Sequence, residues 1–531
     1  MEQRNIILAF ALSMAVLLGW QLMLPKQENG KSAVSQGSSL PGKDGSPAAA
    51  QTAAKPASPA SSTATAAADS SATSGVTPKE VKAEKIGELS NNVVTIDVNS
   101  RGALVSARMK NYRESIKRGS PPVAVLHQSK ARASYINAGI LGHETPTFHV
   151  VAADRHSLTM QATLSDGRVW ERKLTLAPGS YDLHEEDRIR NGKGLKVFYQ
   201  VVARNPDSEG SSRYEFRGAV ALLHDKLKTT KYEDLDKDGA MQVSAKGGWT
   251  GIMNRYFIAS VIGDQKLGNR YYFKGDGQVY QAGLITKGEQ AGSDAVYHIQ
   301  MYVGPKSIPI LKKLNVGLER CVDFGWIAFI AKPMHSFLLL LHNYISNFGL
   351  CIILLVVLIK LIFFWPTKKS YESMAGMRKL QPEMQRMKEQ YGDDRQKMGQ
   401  EMMALYKKHK VNPMGGCLPI IIQIPVFFSL YKTLLISIEL RHAPFFGWIH
   451  DLSAMDPFYV LPVLMGASML VQQKLNPAPP DPMQAKIMRF MPIIFTVMFL
   501  FFPSGLVLYW LVNNVLSIAQ QWHVMKAQKA I

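Results

Sequence analysis

Residues 348–365 read FGLCIILLVVLIKLIFFW, a run whose only charge is Lys360. A helix of about 20 apolar residues crosses a hydrocarbon core of ~30 Å, so this run is a membrane-span candidate. Four more apolar runs follow it, roughly residues 417–438, 457–473, 490–502 and 505–522. The run 490–502 is short for a span, which predicts either a helix extending back through Met488 or a locally thinned bilayer. Upstream, Ile6 to Leu24 carries no charge and follows Arg4. No small-x-small cleavage site follows Leu22-Met23-Leu24-Pro25, so residues 1–25 are expected to be an uncleaved signal anchor. Between anchor and core, residues 321–347 mix Trp326, Phe329 and Leu338 to Leu341 with Lys332, His335 and His342, a pattern that suits a helix lying in the interface.

The loops set the orientation. Residues 367–416 hold 11 Lys/Arg against 6 Asp/Glu, a net of +5, whereas 439–456 hold Glu439, Arg441, Asp451 and Asp456, a net of −2. Lys/Arg excess marks the cytoplasmic side, so six spans with both termini inside fit every loop. The whole chain is 47% hydrophobic yet carries +20. No basic run is interleaved with aromatics, which argues against direct nucleic-acid binding. Three cysteines make no disulfide framework.

Residues 26–85, rich in Ala, Ser, Pro, Thr, Gly and Lys and without aromatics, bury too little apolar surface to offset their ordering entropy and are expected to be a disordered tether. Residues 86–320 alternate as strands do, in Val93 to Val98, Ser157 to Leu164 and Arg168 to Leu176, with Gly, Asn and Asp between them. The expected fold is a multi-domain membrane protein: an N-terminal anchor, a large periplasmic antiparallel β-sandwich over 86–320, an interfacial helix over 321–347, and a five-helix core over 348–531.

Lys360 is the sharpest feature of that core. A lysine inside a span costs ~2.5–3.5 kcal/mol. It either snorkels past Trp365 to the interface or holds a positive charge in a wet cavity of the bundle. The last run carries Trp510, Asn513, Asn514, Ser517 and Gln521 at helical spacing, hence on one side of a helix. Gln472 and Gln473 end the fourth span and Gln423 lies in the third. Each amide alone reads as an interhelical hydrogen bond. Taken with Lys360 the set reads as a hydrophilic groove. Lys432 reads as a snorkelling residue near the outer end of its span. No Asp or Glu lies in any span, which argues against an ion-coupled solute transporter.

In the basic loop, Met377, Leu380, Met384, Met387 and Tyr391 step by three and four, as do Met398, Met402, Leu405 and His409. Residues 370–411 therefore predict a helical hairpin, restarting at Pro382, whose methionines either pack its seam or offer an adaptable apolar surface. Asp234 to Gly239 opens like a calcium loop, but position twelve is Ala245 instead of Glu, so a solvated turn is expected. No histidine in the spans partners Ser504, and there is no phosphate-binding loop or metal-spaced His/Cys cluster, so neither enzymatic chemistry, cofactor nor metal is expected.

The runs Ser370-Tyr371-Glu372-Ser373-Met374-Ala375, Leu380-Gln381-Pro382, Val411 to Pro419, Phe502 to Trp510, Asn513/Asn514 and Gln520-Gln521 closely resemble the Oxa/YidC/Alb insertase family over the last 200 residues or so. The resemblance implies a groove open to cytoplasm and lipid, with Lys360 at the family's basic position and Trp510 as a lining aromatic. It implies clients that slide along the third and fifth spans, residues 417–438 and 490–502, past Phe427, Phe428, Phe495 and Phe499. It also implies nascent membrane proteins as partners, with the Sec translocon, the ribosome, the signal recognition pathway and lipids beside them. The rival readings are a multispanning solute transporter and a membrane-anchored periplasmic scaffold.

Overall fold

The computed structural model describes residues 83–129, 131–206, 216–238, 240–391, 394–412, 418–477 and 482–529. The expected anchor and nearly all of the tether lie outside them. From Lys85 the chain enters two antiparallel sheets. One has nine strands in the order Lys85–Ser90, Val94–Asn99, Leu104–Arg113, Pro122–Gln128, Ala133–Ile140, Lys196–Arg204, Val279–Lys287, Gly268–Gly275, Met241–Lys246. The other has ten, in the order Lys226–Lys231, Gly218–Leu223, Trp249–Met253, Phe257–Ile262, Asp294–Pro305, Asp182–Ile189, Val169–Leu176, Ser157–Thr163, His149–Ala153, with Glu289–Ala291 paired to Asp294–Pro305 off that path.

The alternation read from the sequence is the burial pattern of the outer strands. Val169–Leu176 and Asp182–Ile189 bury every second residue, as a pleat with one wet face requires. Val94–Asn99, Gly218–Leu223 and Phe257–Ile262 are buried at every position. Lys196–Arg204 packs across onto Phe257–Ile262 and Trp249–Met253, and Trp170, Trp249, Tyr199 and Phe273 are fully buried in the core. Gly248 sits at φ +92°, and a Cβ there would stand 2.5 Å from the Leu222 carbonyl oxygen. Only glycine lets the chain turn so close and drop Trp249 into the core.

One buried charge cluster locks these sheets. Arg172 Nε donates to Glu185 Oε1 at 2.7 Å and Asp187 Oδ1 at 3.2 Å, and Nη1 donates to the Gly102 carbonyl at 2.9 Å. Tyr199 donates to Asp187 at 2.6 Å, and the guanidinium lies 5.3 Å from both the Phe148 and Trp170 rings. Burial pushes both carboxyls up from their ordinary values, with Arg172 pulling them back down. The solvated turn expected at Asp234 to Gly239 is instead helical over Asp234–Asp238, the end of α1 (Tyr232–Asp238), whose Asp236 accepts from Tyr280 and the Gly277 N–H. Among the described residues no group of His, Cys, Asp and Glu is placed to hold a metal.

After α2 (Ile308–Lys312) the chain turns helical: α3 (Ala328–His342), α4 (Phe348–Ile362), α5 (Phe364–Lys379), α6 (Gln381–Tyr391), α7 (Arg395–Lys408), α8 (Leu418–Ile436), α9 (Val460–Leu475), α10 (Pro482–Phe499) and α11 (Ser504–Ala527). α3 buries Ala331, Met334, His335 and Leu338 and exposes Phe329 and Leu340, as an interfacial helix would. Among the described residues no single helix is long and apolar enough to cross a membrane alone; α4 and α5 pass that test together, bent by 68°.

Two expected boundaries change. The run 348–365 does not continue to Trp365, because α4 stops at Ile362. Pro366 is the cause: it has no N–H for the Ile362 carbonyl four residues back, and its ring collides with that oxygen. The expected 490–502 helix is α10, which starts at Pro482 and ends at Phe499. Its first turns carry Lys486 and Arg489, which hid its length from a search for apolar runs.

Residues 83–531 form one compact unit. The sheets meet the helices at the C-terminal end of α8. Arg255 Nε donates to the Leu435 carbonyl at 2.6 Å, and Arg441 donates to the carbonyls of Arg113 and Glu114 at 2.7 and 3.1 Å. Glu439 accepts from Ser307 at 2.9 Å and lies 3.7 Å from His335 of α3. Burial raises the Glu439 pKa, but His335 and Ser307 outweigh it and hold the carboxyl below its ordinary value.

Candidate functional site: a lysine between the first and last core helices

The break after Ile362 puts Lys360 in the last turn of α4. Carbonyl ends gather there, and a cation is favoured by ~0.3–1 kcal/mol. Thr367 heals the break: its hydroxyl donates to the Phe363 and Phe364 carbonyls at 2.7 and 3.0 Å. Gln520 of α11 donates to Thr367 Oγ1 and the Phe364 carbonyl at 3.0 and 3.1 Å, so the bend is tied to the last helix.

Lys360 is half-buried and its ammonium donates to Ser517 Oγ at 2.6 Å. Ser517 in turn donates to the Asn513 carbonyl at 2.7 Å. Around them α11 presents the polar side read from the sequence, with Asn513, Asn514, Ser517 and Gln521 all buried. Asn514 donates to Ser468 of α9 at 3.0 Å, and Gln521 donates to Asn476 at 2.9 Å. The Gln521 Oε1 atom is buried without a protein hydrogen-bond partner. α9 and α11 approach closely, and at the next crossing a Cβ on Gly466 would collide with Thr496 Oγ1 of α10. Small residues at such crossings let membrane helices pack.

A second layer lies seven residues earlier on α11, about 10 Å along the axis. Trp510 packs among Phe427 (5.0 Å between ring centres), Phe499 (5.3 Å) and Phe495 (6.1 Å), its Nε1 buried without a protein partner. Tyr431 and Phe502 meet edge to face beyond it, with ring centres 5.9 Å apart. This aromatic layer is on the side of the sheets, since Ser504 and Gly505 at the start of α11 bond the backbone of Asp451 and Leu452 in the loop between α8 and α9. The polar layer faces the basic hairpin, where Tyr371 and Met374 of α5 pack on Val524.

The expected site residues therefore separate. Lys360, Asn513, Asn514, Ser517 and Gln521 come together. Gln423 pairs instead with buried Tyr509. Gln472 and Gln473 stand half-buried in the last turns of α9. Phe427, Phe495 and Phe499 join Trp510, with Phe499 fully enclosed, whereas Phe428 packs toward the sheet core. In the hairpin, Met384, Met387 and Met402 pack with Leu380, Leu405 and Tyr406, but Met377 leaves the seam for Tyr371 and Val524, because the chain restarts at Gln381. Met398 is half-buried outside that cluster. Ser468, Asn476, Thr367 and Gln520 were not anticipated as site residues. Ser468 stands one turn before Gln472, and that spacing was the available signal.

Comparison with known proteins shows the family. The family model described as 60Kd inner membrane protein matches residues 340–530, and that described as YidC periplasmic domain matches 88–337. A relative from Magnetococcus marinus, named membrane protein insertase YidC, is 48% identical over 68% of this chain and 67% of its own length. Relatives of the same name from Marinobacter nauticus and Methylobacillus flagellatus are each 41% identical, over 81% and 80% of this chain and 80% and 81% of theirs. The chain belongs to the YidC family of membrane protein insertases.

Proposed function

We propose that this chain inserts nascent membrane proteins into the bacterial inner membrane and helps them fold, and that the polar layer at Lys360 is where a client's hydrophilic tail is held in transit. The observation that carries the reading is the ammonium bonded to Ser517 between α4 and α11, among buried amides and capped on the sheet side by the Trp510 aromatic layer.

The physics is one of shortened distance. A polar tail crossing ~30 Å of hydrocarbon leaves its backbone groups unsatisfied. α4 and α9, with 15 and 16 residues, are only ~22–24 Å long, which supports a locally thinned membrane. Lys360 attracts an acidic tail into the polar layer, and the client's apolar segment then leaves between α8 and α10. Ile487, Phe490, Ile494 and Val497 expose a continuous apolar stripe on α10 that suits this exit. Burial of the client segment in lipid supplies the driving force, with no nucleotide required.

In this reading the six spans keep both termini in the cytoplasm, on the loop charges of +5 and −2, and the sheets stand in the periplasm. The Sec translocon and the ribosome enter as partners on family resemblance. Photocrosslinkers placed at positions 360 and 510 test the proposal. Adducts to an arrested nascent membrane protein support it, and absence of adducts at both positions, with adducts on the sheet domain instead, overturns it.

A further inference from the structure

Where the sheets meet the helices, a cavity of about 860 Å³ opens between the turn joining Leu104–Arg113 to Pro122–Gln128 and the loop after α8. Its lining carries Arg113, Lys117, Arg118 and Arg441, with His442 and His450. The one carboxylate in the lining, Glu439, is already engaged by Ser307 and His335. The loop itself is acidic by composition, yet its aspartates are turned inward. Asp451 accepts from the N–H groups of His442 and Ser453, and Asp456 accepts from Trp448 Nε1, Phe458 N and Leu461 N at 2.7–3.0 Å. Arg441 donates from both Nη atoms to backbone carbonyls, and among the described residues it forms no ion pair with a carboxylate. Burial lowers its pKa from the ordinary value, with Tyr256, Asp451 and Glu114 acting the other way. The cavity is thus a concentration of cations, with Glu439, Asp451 and Asp456 engaged by other groups and the exposed Glu114 the one further carboxylate at the turn.

Its depth identifies the occupant. The same connection carries Pro444 in the lining and exposes Phe446 (58%) in the loop and Phe458 (68%) and Tyr459 (48%) at the start of α9. Exposed aromatics at helix ends mark the headgroup level of a bilayer. We infer that this cavity binds the phosphate of an anionic phospholipid headgroup of the outer leaflet, bridging the sheet domain's turn and the helical core's loop. The inference rests on the reading of the helices as membrane-spanning. Lys117 and Arg118 at the turn then hold the phosphate, Arg441 adds its positive charge from the core loop, and the lipid's tails lie along the exposed ends of the helices.

The test uses the full chain in nanodiscs of mixed phosphatidylglycerol and phosphatidylcholine, with bound lipid counted by native mass spectrometry. The probe variant is Lys117→Gln with Arg118→Gln, both exposed at the turn and apart from the contacts that dock the sheets. The control is Lys226→Gln with Lys228→Gln, on an edge strand of the other sheet. At about fivefold per basic residue, the probe variant should lose phosphatidylglycerol affinity by roughly thirtyfold, the control by less than about threefold. Equal loss in both variants, or no loss in the probe variant, overturns the inference. Displacement by inorganic phosphate without any phosphatidylglycerol enrichment overturns the lipid assignment. Failure of the chain to enter nanodiscs at all overturns the spanning reading instead, which separates the two.

Discussion

Replacing Lys360 by Ala removes the charge from the polar layer and leaves Ser517 bonded to the Asn513 carbonyl. A client carboxylate brought to ~4 Å from the ammonium gains about 4 kcal/mol at an effective dielectric constant of 20, and desolvating that carboxylate returns part of the gain. A net of about 2 kcal/mol corresponds to roughly thirtyfold in the population of the held state. The assay is insertion of a single-span client into proteoliposomes, read by protease protection of its translocated tail. The client carries either one Asp in that tail or Asn in its place. Lys360→Ala should slow the Asp client about thirtyfold and the Asn client less than threefold, while Lys360→Arg keeps both within threefold. The four combinations form a cycle whose coupling energy isolates the pair from any general damage to the bundle. A coupling below about 0.5 kcal/mol would refute the charge role, even if Lys360→Ala slowed both clients equally.

Further outcomes follow from the packing. Arg172→Met strands two buried carboxylates and should destabilise the sheets by about 3–5 kcal/mol in urea titration of the full chain, whereas adding Glu185→Leu and Asp187→Leu to it should recover much of the loss. Gly466→Ala drives a methyl group into Thr496 Oγ1 and should cost about 1–3 kcal/mol in thermal unfolding in detergent; Thr496→Ala added to it should restore the midpoint. The depressed Glu439 carboxyl contributes stability that is present above its ordinary value of 4.5 and is lost as pH falls through its lower folded value. Hydrogen exchange near Ser307 and the end of α8 should therefore rise on acidification, and in Glu439→Gln it should be raised already at neutral pH.

The strands were legible because half-buried sheets impose a period of two, and Ser157–Thr163 and Val169–Leu176 obey it. The polar side of α11 was legible because helical spacing puts Asn513, Ser517 and Gln521 on one side whatever they touch. Partners were not legible. That Gln423 would pair with Tyr509, or that Met377 would leave the hairpin seam for Val524, depends on where helices cross, and crossings are set by small residues such as Gly466 that carry no periodic signal of their own. The docking of the sheets was equally hidden. It runs through backbone carbonyls of Leu435, Arg113 and Glu114, which every sequence possesses.

Lys360 shows how local chemistry offsets the cost of placing a cation among apolar helices. Its insertion cost of ~2.5–3.5 kcal/mol is opposed by ~0.3–1 kcal/mol from the carbonyl end of α4 and ~1.5–3 kcal/mol from a charged hydrogen bond to Ser517. These sum to near zero, and the smaller of the two offsets depends on Pro366 ending α4 two residues past the lysine. Were the helix continuous to Trp365, Lys360 would lie mid-helix without the terminal dipole, and the α5 bend that brings Thr367 to Gln520 would be absent. A charge already desolvated at little net cost is available to a passing carboxylate without further reorganisation. A proline six residues away is therefore as much a part of the site as the lysine, and Pro366→Ala should straighten the bend and lengthen the Lys360–Ser517 separation, which double electron–electron resonance between labels on α5 and α11 would register.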